Sequence, residues 1–257
     1  MIKENLKTNQ LAFLILFICI FASCKKETTA NNNNNNTNTV PAVYNKIYGA
    51  TSITSDGSFL TIKTKGIPDH ISCYWPTSNS LYRVFSGTTT FGGETFQKAP
   101  NTISEKSYTF KIPLNPSVNS SHPATPMGAI GFALNGVPLF NQYAAGGVAL
   151  GNEKKGFDQY YGHPQQQGAY HYHVEPLYLT TVTATKSSLL GFLLDGFPVY
   201  GPEENGTLVV NDSLDVYHGH THATVDFPGG IYHYHITSTD PYLNGSGFYG
   251  FPGTVTQ

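Results

Sequence analysis

One ordered set of short motifs occurs twice in this chain, about 60 residues apart, and it constrains the fold more than any other feature. Gly131-Phe-Ala-Leu-Asn-Gly-Val-Pro-Leu-Phe140 is matched by Gly191-Phe-Leu-Leu-Asp-Gly-Phe-Pro-Val-Tyr200. Asp158-Gln-Tyr-Tyr-Gly-His163 is matched by Asp215-Val-Tyr-His-Gly-His220, and Tyr170-His-Tyr-His173 by Tyr232-His-Tyr-His235. Recurrence in the same order marks a repeated structural unit. The unit reads as a hairpin, a Gly-His loop and an alternating Tyr/His strand. The Asn-Gly and Asp-Gly pairs between apolar runs predict two-residue type I′ turns. The halves span about 128–176 and 188–238. A duplicated unit is expected to pack as a pseudo-two-fold pair, which can bring equivalent strands to one shared site.

The 26 glycines and 16 prolines leave little room for long helices. Short runs rich in Tyr, Phe, Val, Ile and Thr between turn signals predict strands at Ser107–Ile112, Ala129–Leu134, Ala169–Val174 and Ile231–Thr237. Leu177–Leu194 is the one stretch with room for a short helix. The expected fold class is mainly β: a single compact domain of short strands and loops over residues 41–257, with an internal pseudo-two-fold duplication.

The N-terminal end predicts export. Lys3 and Lys7 precede an unbroken apolar run, Leu11 to Phe21, too short to span a membrane but suited to a signal-peptide core. Phe21-Ala22-Ser23-Cys24 resembles a lipobox, so residues 1–23 are read as a lipoprotein signal peptide and Cys24 as the acylated residue. Residues 24–40, with the homopolymer Asn31–Asn36, are read as a disordered tether of roughly 20–25 Å. The expected location is the bacterial cell envelope, lipid-anchored, periplasmic or surface-exposed. The leader carries Lys3, Lys7 and Glu4, so its removal moves the net charge from −2 to −3. No Lys/Arg stripe exists, which argues against a nucleic-acid partner. With Cys19 in the leader and Cys24 acylated, Cys73 has no cysteine left to pair with.

The ten histidines are unevenly placed. Random placement gives roughly 0.4 His-x-His pairs, the kind of count a pattern claim needs. The chain has four: His171/His173, His218/His220, His220/His222 and His233/His235. Residues i and i+2 of a strand share a face, so each pair can converge on one metal ion. Neutral imidazoles suit Zn, Cu, Fe or Ni. The predicted ligands are His163, His171, His173, His218, His222, His233 and His235, for a divalent transition metal (Zn, Cu or Fe). The alternating tyrosines would then face the core, and Asp158, Asp215 and Glu175 are candidates to orient the rings. A hydrogen-bonded His/Tyr ladder without metal is the competing structural reading. The stretch Tyr217–Thr224 reads as a glycine-containing loop, with His220 as an acid/base group.

The paired Tyr-His-Tyr-His strings resemble the YHYH domain family. Supporting matches are Gly66-Ile-Pro-Asp-His70, the Gly-Phe-x-Leu-Asn/Asp-Gly-x-Pro strings, Gly162-His163, Phe227–His235 and Gly247-Phe-Tyr-Gly-Phe-Pro-Gly253. The resemblance spans roughly residues 65–253. It brings no established reaction, but it implies that Asp69 and His70 belong to the same functional constellation as the later histidines.

No Gly-x-Ser-x-Gly, Cys-x-x-Cys, His-Glu-x-x-His or phosphate-cradling loop occurs. Cys73 beside Trp75 reads as a buried, inert thiol. Two functional readings stay open. One is an exported metal-dependent hydrolase or oxidase acting on an extracellular small molecule or polymer, with Asp69, His70 and His220 in catalytic roles. The other is a non-catalytic cell-surface module that binds a ligand such as a glycan.

Overall fold

The computed structural model describes residues 39–257. The predicted signal peptide, Cys24 and nearly all of the Asn-rich segment lie outside the described residues. The described chain is mainly β. After a short helical turn at Ala42–Lys46, β1 (Ala50–Ser55), β2 (Phe59–Thr64) and β3 (Tyr108–Pro113) form an antiparallel meander. Next come β4 (Ala129–Ala133), β5 (Pro138–Phe140), the two-residue ribbon β6 (Tyr143–Ala144) and β7 (Val148–Ala149), β8 (Gly162–Pro164) and β9 (Tyr170–Tyr172). The second motif set supplies β10 (Leu189–Leu193), β11 (Pro198–Tyr200), a ribbon of β12 (Glu203–Glu204) and β13 (Thr207–Leu208), β14 (Gly219–His222) and β15 (Ile231–His235). The last strand, β16 (Thr254–Thr256), returns to β3.

Two sheets carry the fold. One has the order β1-β2-β3-β16, the other β14-β15-β11-β10-β4-β5-β9-β8. The large sheet reads alike from either edge inward: Gly-His strand, Tyr/His strand, second hairpin strand, first hairpin strand. At its middle Gly191 faces Ala133, Phe192 faces Phe132 and Leu193 faces Gly131. A side chain at Gly131 would put its Cβ 2.3 Å from the Phe192 carbonyl oxygen, and one at Gly191 2.2 Å from that of Phe132. Both glycines are there to let the two central strands close. The small sheet alternates buried and less buried positions in β3, as a one-sided sheet must. Its inner face lies over the centre of the large sheet, with Phe110 4.8 Å from Phe132 between ring centroids, and Tyr44 packs at 4.8 Å on Phe192.

The four sequence-predicted strands are present as β3, β4, β9 and β15. Two local expectations are corrected. The hairpin turns are not type I′, because neither Asn135 nor Asp195 takes a positive φ. Instead Gly136 (φ 81°) and Gly196 (φ 84°) close four-residue turns by donating to Ala133 and Leu193. The Asn135 and Asp195 side chains accept the backbone N–H two residues on. The stretch Tyr217–Thr224 is not a loop: Gly219–His222 is edge strand β14, paired with β15 from Gly219↔Tyr234 to His222↔Ile231. The short helix expected in Leu177–Leu194 forms at its start, ending in the π-helical turn Leu179–Thr183, and Leu189–Leu193 is fully buried as β10. The β-branched Thr-Thr-Val-Thr run limits the turn. Among the described residues no helix is long and apolar enough to cross a membrane.

Candidate metal centres

Each motif residue has a positional job. Asp158 accepts the Tyr160 N–H (2.9 Å) and the Tyr170 hydroxyl (2.9 Å). Asp215 accepts the Tyr217 N–H (2.9 Å), the Gly219 N–H (3.1 Å) and the Tyr232 hydroxyl (2.9 Å). The first Tyr of each Tyr-His-Tyr-His string is therefore tied to the Asp that opens its Gly-His loop. The glycine is required because a Cβ at Gly162 or Gly219 would lie 2.4 Å from the hydroxyl of Tyr170 or Tyr232. The turn is made one residue earlier, at Tyr161 (φ 65°) and His218 (φ 78°). The resulting register sets His163 opposite His171 and His220 opposite His233.

The rings are then aimed by backbone carbonyls. Nδ1 of His171 and His233 donates to Ala169 (3.1 Å) and Ile231 (3.0 Å). Nδ1 of His173 and His235 donates to Asn141 (2.6 Å) and Gly201 (2.8 Å), the residues just after β5 and β11. A carbonyl only accepts, so each Nδ1 carries the proton and each neutral ring presents a bare lone pair at Nε2. This second bond is the usual way a protein fixes a ligand imidazole.

Centre 1 gathers Glu153, His163, His171 and His173, whose ligand-type atoms all lie within 4.8 Å of one another. Nε2 of His171 and of His173 are 3.0 Å apart, and Glu153 Oε1 is 3.1 Å from His163 Nε2 and 3.6 Å from His173 Nε2. Four donors about 2.05 Å from one tetrahedral ion would stand about 3.3 Å apart. The three histidines are buried. Phe140 stacks on His171 at 4.0 Å, and the fully buried Phe157 packs on His163 and His173. Burial lowers the pKa of His163 and His171, the latter helped by its two histidine neighbours.

Centre 2 gathers Glu204, His220, His222 and His233 within the same limit. Nε2 of His220 and of His222 are 3.0 Å apart, and the two Glu204 oxygens reach His222 (2.6 Å) and His220 (3.7 Å). His235 stands beside this set, its ring 4.9 Å from His220 and 5.1 Å from His233. Nε2 of His233 and of His235 are buried without a hydrogen-bond partner. Burial pushes His233 down to about 3 and His235 down to about 4. A pocket of about 700 Å³ adjoins this centre, walled in part by Glu204, His222, His233 and His235.

The predicted residues thus divide. His163, His171 and His173 form one cluster, and His220, His222 and His233 another, so the two Tyr/His strands serve two clusters and not one shared site. They are five strand spacings apart in the large sheet, roughly 24 Å at about 4.8 Å per spacing. His218 is turned away and bonds Thr237 Oγ1 through Nε2 (3.0 Å). Asp69 and His70 meet the tyrosine side of β9: His70 Nε2 bonds the Tyr172 hydroxyl (2.9 Å), and Asp69 accepts from Asn135 Nδ2 (3.1 Å). Asp158 and Asp215 hold tyrosines, and Glu175 accepts from Thr180, so none of the three orients a clustered ring. Cys73 is buried and free, its thiol pushed up to about 11 by burial. Glu153 and Glu204 escaped the sequence reading because neither lies in a repeated motif. Their only signal is position, between each hairpin and its Gly-His loop.

This construction explains a motif already visible as a name. Residues 109–209 match the family model described as YHYH protein. The match runs from β3 past β13 and includes Tyr170–His173, while the second string, Tyr232–His235, lies beyond its end. A search of curated proteins and a search of solved structures each found no match.

Proposed function

We propose that this is an exported protein, held at the cell envelope by a lipid on Cys24, that binds divalent transition metal ions at two His/Glu centres built from two copies of one unit. The observation that carries the reading is the convergence of aimed Nε2 atoms. In centre 1, Nε2 of His171 and of His173 meet at 3.0 Å beside a carboxylate. Both Nδ1 protons are already given to carbonyls, so the two lone pairs face each other. Such an approach is relieved by a shared proton or by a metal ion, and a third imidazole and a carboxylate converging on the same point suit the metal ion. A bound ion would supply Lewis acidity and a lowered pKa for bound water, which suits hydrolysis, with oxidation as the counterpart for copper or iron. The pocket at centre 2 also suits capture of a ligand without turnover, and consumption of substrate is what separates the two.

Elemental mass spectrometry on residues 41–257, purified without a His-tag after loading with Zn, Cu or Fe, should find two equivalents of metal per chain. The His171→Ala and His233→Ala variants should each lose one. No bound metal under any loading, with an unmoved melting temperature, overturns the reading. In the full-length chain Cys24→Ala should move the protein from the membrane fraction to the soluble fraction of cells.

A further inference from the structure

The two centres differ in what surrounds them. At centre 1 the Phe140 ring covers His171, Phe157 packs between His163 and His173, and the short helix Gly151–Gly156 runs over the cluster carrying Glu153. At centre 2 the matching positions hold Tyr200, whose hydroxyl is drawn away to Thr224 (2.7 Å) and Asp226 (3.1 Å), and Leu214, which is only half-buried. The 700 Å³ pocket touches Glu204, His222 and His233 of centre 2 and the adjoining His235, and no residue of centre 1 lines it. Closed metal sites are structural, whereas sites that do chemistry keep a position open to an outside ligand. A pocket of this size takes a small organic molecule.

Resting on the metal reading, we propose that centre 2 alone takes an exchangeable ligand. That ligand is an oxygen-donor molecule carrying at most one negative charge, with a small apolar end. The charge follows from the walls. Glu203, Glu204 and Asp226 face two ammoniums, Lys46, which is bonded to Asp226, and Lys186, 3.8 Å from Glu203. A divalent ion at the centre leaves that set with a single positive charge, so a polyanion is not matched. The apolar end follows from a second pocket of about 250 Å³, which shares Lys46, Ser188 and Leu189 with the first and adds Leu134, Leu179 and Ala184. The hydroxyls of Ser187, Ser188 and Thr224 line the space between.

The test uses Co²⁺ as the metal and acetohydroxamic acid, which binds as its monoanionic hydroxamate, as the oxygen-donor probe, with inorganic phosphate as the polyanionic control. In the two-cobalt protein, acetohydroxamic acid should shift the visible bands of one ion and leave the other unchanged, and phosphate should shift neither. EDTA should remove one ion rapidly and the other slowly. Ser188→Trp fills the junction of the two pockets, and Val225→Trp, at a pocket-rim position 97% exposed, offers a block that leaves the core alone. Each should keep both cobalt ions and weaken the probe at least tenfold. A response at both ions or at neither, a preference for phosphate, or wild-type affinity in both Trp variants overturns this inference while leaving the metal reading intact. Failure to bind cobalt at all overturns the metal reading beneath it.

Discussion

Centre 1 lies beneath the Gly151–Gly156 helix and two phenylalanine rings, whereas centre 2, which shares two of its motif positions (His220 and His233) and takes His222, at the position matching Gln165, as its third imidazole, opens on a pocket. His163, His171 and His173 match His220, His233 and His235 in motif position and, for the last two pairs, in Nδ1 partner. The carboxylates do not match. Glu204 comes from the ribbon strand β12, whose counterpart in β6 is Ala144, and Glu153 comes from the helix that follows β7. Seventeen residues separate Phe140 from Asp158, but only fourteen separate Tyr200 from Asp215. The repeated motifs therefore fix where the imidazoles go. The unrepeated connection fixes which carboxylate joins them and whether the cluster is covered.

That contrast can be broken in several ways. The largest effect is expected at the covered centre. An ion held about a thousandfold above its Kd contributes about 4 kcal/mol. His171→Ala should therefore lower the melting temperature of the metal-loaded protein by about 10 °C, and His233→Ala by clearly less. Equal losses in a thermal melt would erase the distinction between a structural and an exchangeable centre.

Next in size is the joint between the halves. Gly131→Ala drives a methyl against the Phe192 carbonyl and should cost about 3 kcal/mol in chemical denaturation. Both centres should lose metal together in this variant, unlike in either histidine variant.

A smaller difference is expected behind the two Tyr/His strands. The Tyr234 hydroxyl donates to Asp195 (2.6 Å) and accepts the Tyr249 N–H (2.7 Å), whereas the Tyr172 hydroxyl meets His70 and Asn135. Tyr234→Phe weakens the hold on a buried carboxyl and leaves a backbone N–H unpaired, for about 2 kcal/mol. Tyr172→Phe should cost about 1 kcal/mol, and the reverse order in denaturant melts would contradict this.

The smallest effect is the pH dependence of the metal-free protein. Burial holds His218 and His235 down to about 4 and His233 down to about 3, so below about 6.5 the unfolded chain takes up protons first. Stability from these groups is full above about 6.5 and falls as the pH drops toward 4. Asp195, pushed up to about 6 by burial, works the other way: its protonated form favours the folded state, and that contribution is lost as pH rises through about 6. Burial also lowers His70, His163, His171 and His220 and raises Asp158, so with seven histidines against two carboxyls the apo melting temperature should fall on acidification from pH 7 to pH 4.5. A flat or rising profile would show that the rings are not neutral in the fold.

The β class and the four sequence-predicted strands were legible because alternation and turn signals are local properties, whereas the division of the histidines into two clusters was not, because it depends on where the large sheet places its two edges. His218 misled because His-x-His spacing implies a shared face only within one strand, and the positive φ at His218 takes it out of β14. Gly219 suggested a loop, but it is a strand residue whose missing side chain makes room for Tyr232. Asp69 and His70 entered through family resemblance, and their place against the tyrosine side of β9 depends on a long-range contact that no spacing reveals. The same holds for Glu153 and Glu204, whose approach is a product of tertiary packing alone.

The mirrored order of the large sheet also makes it a ruler. Two spin-bearing ions such as Cu²⁺, one on each Tyr/His strand, would sit a fixed number of strand spacings apart, roughly 24 Å. Their magnetic dipoles would report that span directly. The span is joined at the middle by the short β4/β10 pairing around Phe132 and Phe192. Any sliding of one half past the other at this seam would change the distance between the ions before it disturbed either cluster.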